Sequence, residues 1–129
     1  MKDTIFSYLL YKKNVAFLYG NMSIEEGLIF MKEHHYTSVP VIKPSGEYIG
    51  SVSEGDFLWS LLETTNKTEF FNRSISSIIR KDYLKACTID TSTDILIQLL
   101  LDQNYVPIVD DRNIFIGIVT RKSVLSSLI

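Results

Sequence analysis

Apolar residues in this chain come in short runs broken by polar clusters, and the order of the runs recurs. Val39-Pro40-Val41-Ile42 is β-branched, Pro44-Ser45-Gly46-Glu47 is rich in turn formers, and Tyr48-Ile49-Gly50-Ser51-Val52 follows, which together predict a hairpin. The same order returns as Tyr105-Val106-Pro107-Ile108-Val109, Asp110-Asp111-Arg112-Asn113 and Phe115-Ile116-Gly117-Ile118-Val119. The offset is 67 positions without a gap: Pro40 meets Pro107, Tyr48 meets Phe115, Gly50 meets Gly117, Ser53 meets Thr120 and Leu58 meets Leu125. The chain is a tandem repeat.

Helical periodicity fills the spaces between strands. Ser23-Ile24-Glu25-Glu26 is a capping box ahead of a helix with Ile24, Leu28 and Met31 on one face, and Ser53-Glu54-Gly55-Asp56 opens a helix carrying Phe57, Leu58, Leu61 and Leu62. Thr91-Ser92-Thr93-Asp94 caps a segment, Ile95 to Leu101, that is apolar all round and therefore expected to be the more buried. Ile5 to Leu10 reads as a short helix, Val15 to Leu18 as a strand, Ile75, Ile78 and Ile79 as a leading helix, and Leu84 to Cys87 as a strand. Pro40 cannot donate to a ladder and is expected at a strand start or edge. Gly50, inside a strand, implies that something approaches the backbone closely. The reading is an α+β fold of two β-α-β-β-α repeats, 1–66 and 67–129, joined near the polar stretch Glu63 to Glu69.

At 129 residues the chain is expected to form one compact body, its two lobes sharing a core because either half alone is marginal. A net charge of −2 gives no electrostatic footprint for nucleic acid. The single cysteine, Cys87, makes no internal disulfide and suits inert packing in a reducing compartment. The first residues have no signal-peptide pattern and no apolar run approaches membrane-spanning length, so a soluble, cytoplasmic chain without membrane contact is expected. His34 and His35, the only histidines, diverge on a helix, which argues against a metal site. No acid, base and nucleophile recur in a catalytic pattern and there is no Walker loop, so the chain is not read as an enzyme.

The residues that suggest chemistry lie where a strand ending in Gly-x-x-Ser/Thr feeds a helix. Backbone amides, a hydroxyl and the positive end of the dipole meet there, an arrangement suited to phosphate. At Ser53, Asp56 adds a carboxylate able to accept from the vicinal hydroxyls of a ribose; at Thr120 its place is taken by Ser123, while Arg121 and Lys122 add positive charge. Ser-x-x-Asp is also a plain capping signature, and the alternative is that Ser53 and Thr120 only cap helices. The recurrence of both corners, each with a glycine three residues earlier, favours a binding role.

The repeated strand with Val-Pro-Val/Ile, turn, aromatic-Ile-Gly and Ser/Thr at the helix start resembles a tandem cystathionine β-synthase (CBS) domain pair, or Bateman module, of the stand-alone bacterial type, over essentially the whole chain. The resemblance implies two repeats related by a pseudo-twofold axis, with clefts between them that bind an adenine nucleotide as a regulatory ligand, no cofactor being required. One cleft would join Ser53 and Asp56 to Lys85, Ala86 and Tyr105, with Asp56 on the ribose and Ser53 on a phosphate. The other would join Thr120, Arg121 and Lys122 to Val15, Ala16, Tyr36, Thr37 and Ser38. AMP, ADP and ATP are the expected ligands, and the Thr120-Arg121-Lys122 cluster is also similar to pairs that bind cyclic di-AMP. The resemblance further implies a homodimer and an unidentified effector protein that receives the signal. A dimerisation or interaction module with vestigial clefts is the competing reading, for which Trp59 is a subunit contact or core residue rather than a ligand platform.

Overall fold

The computed structural model describes residues 4–80 and 83–127. Its strands and helices run β1 (Leu9–Tyr11), β2 (Leu18–Tyr19), α1 (Ile24–His34), β3 (Ser38–Ile42), β4 (Tyr48–Ser53), α2 (Glu54–Leu62), α3 (Lys67–Asn72), β5 (Cys87–Thr88), α4 (Thr93–Asp102), β6 (Tyr105–Val109), β7 (Phe115–Thr120) and α5 (Arg121–Ser126). The chain divides into two compact units, Ala16–Tyr83 and a second made of Met1–Val15 with Leu84–Ile129.

In the first unit β3 pairs antiparallel with β4 and parallel with β2, giving the order β2-β3-β4. One face buries Val39, Val41 and Val52 against Ile24 and Met31 of α1, Phe57 of α2 and Phe70 of α3. In the second unit the order is β1-β7-β6-β5, and Val106, Ile108 and Val119 pack on Leu96 and Leu100 of α4. Each unit thus has an apolar cluster of its own. The equivalent prolines Pro40 and Pro107 lie in central strands. Their flanking partners are only two residues long, β2 reaching Val41 and Ile42 and β5 reaching Ile108 and Val109, so Pro40 and Pro107 lie just beyond them. The expected edge is local.

Several short segments depart from the periodicity reading. Ile5 to Leu10 splits into a 3-10 turn, Ile5–Ser7, and the start of β1, while Ile75–Ile78 is likewise a single 3-10 turn. The strands expected at Val15 to Leu18 and Leu84 to Cys87 shrink to β2 and β5, each at the C-terminal end of its run. The polar stretch after α2 is partly helical, because Asn66 accepts from the Glu69 amide and α3 seats Phe70 in the core. In α4 only Leu96 and Leu100 are buried; Ile95, Ile97 and Leu101 are exposed. Apolar composition all round marked an unpartnered face rather than deeper burial.

The two 3-10 turns are equivalents. Ile5, Tyr8 and Leu9 belong to the second unit's packing as Ile75, Ile78 and Ile79 belong to the first's. Leu10 pairs with Ile118 on β7, and Arg80 bridges Ser51 on β4, the positions 118 and 51 being repeat equivalents. Each hairpin is therefore completed by a segment lying outside its own β-α-β-β-α stretch in sequence. The same contacts explain the strand glycines, both at positive φ: a Cβ on Gly50 would collide with Ile79, and one on Gly117 with the Leu10 carbonyl oxygen.

Candidate functional site

Both helix-start corners form as capping boxes. The Ser53 hydroxyl accepts from the Asp56 amide at 3.2 Å while Asp56 Oδ2 accepts from the Ser53 amide at 2.8 Å and from its hydroxyl at 3.0 Å. In the other unit Thr120 Oγ1 accepts from the Ser123 amide at 3.0 Å and Ser123 Oγ accepts from the Thr120 amide at 3.2 Å. Sequence and local structure agree here because both caps have a short oxygen-bearing side chain three residues on. A second parallel follows: the Glu54 amide donates to the Thr37 carbonyl, and the Arg121 amide to the Asn104 carbonyl. These bonds claim most of the first-turn donors. The amides of Gly55 and Lys122 are those left over for an anion.

The corners differ in their charged groups. Asp56 is 6% exposed, and Arg80 Nε donates to its Oδ1 at 2.6 Å. Ser53, Asp56, Trp59, Ser60 and Arg80 line one hollow of about 320 Å³ at the start of α2. Trp59 is 64% exposed and so belongs to no core. At Thr120 the guanidinium of Arg121 turns to the end of α4, donating to the Leu100 carbonyl at 2.6 Å, the Leu101 carbonyl at 3.1 Å and Asn104 Oδ1 at 3.1 Å. A cation there complements the negative end of the helix. Arg121→Ala should consequently cost about 1–2 kcal/mol through the last-turn carbonyls it strips of donors. A lowered urea midpoint at unchanged slope reports that loss; an unchanged midpoint would show the contacts idle. Lys122 is exposed.

The remaining expected site residues lie as follows. In the first unit Ser38 is paired with Ser53 across β3 and β4, Thr37 is tied to Glu54, and Ala16 packs on the core. Tyr36 is exposed and stacks with Phe30 and His34. In the second unit Tyr105 is paired with Thr120 across β6 and β7, Val15 follows a 3-10 turn, and Lys85 and Ala86 lead into β5. The Lys85 backbone is held by buried Gln103, whose Oε1 accepts from the Lys85 amide at 2.9 Å and whose Nε2 donates to the carbonyls of Lys85 and Tyr105, each at 3.1 Å. Cys87 is buried, and burial pushes its thiol pKa up while a hydrogen bond with Thr91 opposes the rise. Burial likewise pushes Tyr48 up to about 12 against its hydrogen bond with Ser51. Arg80 and Gln103 escaped the sequence reading. Nothing in periodicity ties Arg80 to a carboxylate 24 residues away.

The CBS domain family model matches residues 9–63 and 75–129, and the chain belongs to that family as a tandem pair. Among curated protein sequences there is no significant match. Solved structures of the same fold include CbpB in complex with c-di-AMP, 20% identical with a TM-score of 0.92 over 98% of this chain and 84% of that one. A CBS domain protein from Streptococcus pneumoniae is 25% identical, with a TM-score of 0.86 over 96% and 85%. CBSX2 in complex with AMP is 22% identical, with a TM-score of 0.79 over 97% and 95%. Among the described residues no helix is long and apolar enough to cross a membrane, and no group of three or more metal-ligating side chains forms.

Proposed function

We propose that this chain is a regulatory binding module that takes an adenine nucleotide and passes its occupancy to a partner protein, with no reaction catalysed. The observation that carries the reading is the pair of matching corners at Ser53 and Thr120, within a family whose structural relatives include proteins solved with AMP and with c-di-AMP. Asp56, beside Ser53, offers a ribose an almost buried carboxylate. Ser53 and the Gly55 amide would meet a phosphate, while adenine would lie among aliphatic side chains. In the other repeat, Thr120 and Lys122 are the groups nearest that role, Arg121 being engaged with α4.

The competing reading, an interaction module with vestigial sites, is favoured by one observation. Leu58, Trp59 and Leu62 on α2, and Leu101 and Leu125 on α4 and α5, are each at least half exposed. Side chains of this size suit contact with a second copy or an effector.

A melting scan separates the two. At about 0.3 kcal/mol per heavy atom, an AMP-sized ligand reaches a dissociation constant on the order of ten micromolar. At one hundred times that concentration the folded state gains about 2.7 kcal/mol, which should raise the melting temperature on the order of 10 °C. AMP, ADP, ATP and cyclic di-AMP are the probes. A shift with any supports the sensor; no shift with all four, together with a stable dimer in solution, supports the interaction module.

A further inference from the structure

The Asp56 carboxylate is engaged on both oxygens by groups of the protein itself. An ionised carboxylate offers about four acceptor positions. Three are taken, two by the amide and hydroxyl of Ser53 and one by Arg80 Nε. A ribose diol brings two hydroxyls, so one finds no acceptor unless Arg80 yields. Arg80 is built to yield. Its side chain is 57% exposed, its guanidinium lies over the Tyr83 ring at 4.2 Å from the centroid, and among the described residues its Nη nitrogens donate to nothing.

The other repeat shows what this guanidinium is tied to. Where Arg80 bridges Ser51, Leu10 pairs with Ile118, and where Asp56 closes the first cap, Ser123 closes the second. Backbone pairing survives in both repeats, whereas carboxylate and guanidinium are absent together from the second. The arginine follows the acid and not the sheet.

We propose that Arg80 is the specificity-determining residue of the Asp56 corner, occupying the carboxylate edge that a ribose diol needs until a phosphate draws it away. The inference rests on the nucleotide reading of that corner and deepens it. A nucleoside alone would replace an ion pair with a hydrogen bond from an uncharged hydroxyl and leave the guanidinium uncompensated; a nucleotide supplies the compensating anion. The corner therefore takes a ligand carrying vicinal hydroxyls and a phosphate together. A 3′,5′-cyclic dinucleotide has no vicinal diol and is disfavoured.

The test is calorimetric titration of the whole chain, and of Arg80→Ala and Arg80→Met, with AMP, adenosine and 2′-deoxy-AMP. AMP should bind the unmodified protein more tightly than adenosine by about tenfold or more, the effect of one charge-assisted hydrogen bond. In both variants that ratio should fall several-fold, with adenosine gaining and AMP losing, down to what Ser53 and the Gly55 amide give the phosphate. An unchanged ratio, with 2′-deoxy-AMP still weaker than AMP, overturns the role of Arg80 and leaves the corner standing. Equal binding of AMP and 2′-deoxy-AMP, or no binding of AMP, overturns the corner reading and the inference with it. In the unmodified protein the Arg80 Nε–H resonance should move with AMP and not with adenosine; a resonance that AMP leaves in place also overturns the proposal.

Discussion

Gly117→Ala is expected to lose about 3 kcal/mol of stability, the upper range for forcing an extra methyl into a packed site. The added Cβ meets the carbonyl oxygen of Leu10, which is backbone held in register by the pairing of β1 with β7. Relief requires moving a strand. At Gly50 the obstacle is the Cγ2 methyl of Ile79, stiff at χ1 but side chain rather than backbone, so Gly50→Ala should cost less, about 2 kcal/mol. Urea unfolding of the two variants side by side checks the order. Equal losses would show that positive φ, which the two share, matters more than what stands opposite.

The second large effect is expected at Asp56. Asp56→Ala should weaken ribonucleotide binding by about 1–3 kcal/mol, because it removes a charged acceptor at the place proposed for the ribose. It should also cost stability of about 2 kcal/mol, since the cap at Ser53 loses its acceptor; the partner Arg80 is more than half exposed and adds little. The two losses separate in Asp56→Asn, which keeps an oxygen for the Ser53 amide and drops the charge. Stability should largely return while affinity for AMP does not. Affinity unchanged in both variants removes Asp56 from the site.

The comparison with the sequence turns on which contacts leave a periodic trace. Hairpins, turns and helix starts do, because alternation, turn residues and the Ser-x-x-Asp spacing are local; those elements and the equivalence of Ser53 with Thr120 were legible. The segments holding Ile5 and Ile75 were not. They correspond at an offset of 70 rather than 67, and a single 3-10 turn carries too few residues to show a period. For α4 the composition was read correctly and its meaning wrongly, since apolarity reports what a face avoids and not what covers it. Both arginines illustrate the limit for sites. Arg121 stands beside Thr120 in sequence, yet its guanidinium is directed by carbonyls of a helix some 20 residues earlier. Arg80 was missed because its partner is set by the fold.

The completion of each hairpin by a segment from beyond its own repeat bears on how such a chain divides. A gene cut between the repeats would strand Ile75 and Ile78 from the core they fill, and leave β4 with a bare edge at Ser51. The half-chain retaining β6 and β7 would in turn lose β1, baring the edge of β7. Open strand edges recruit other chains. A piece that keeps its edges is thus the whole pair or the continuous stretch Ala16–Tyr83, and a copy cut at the repeat boundary persists only by borrowing its missing edge from a neighbour.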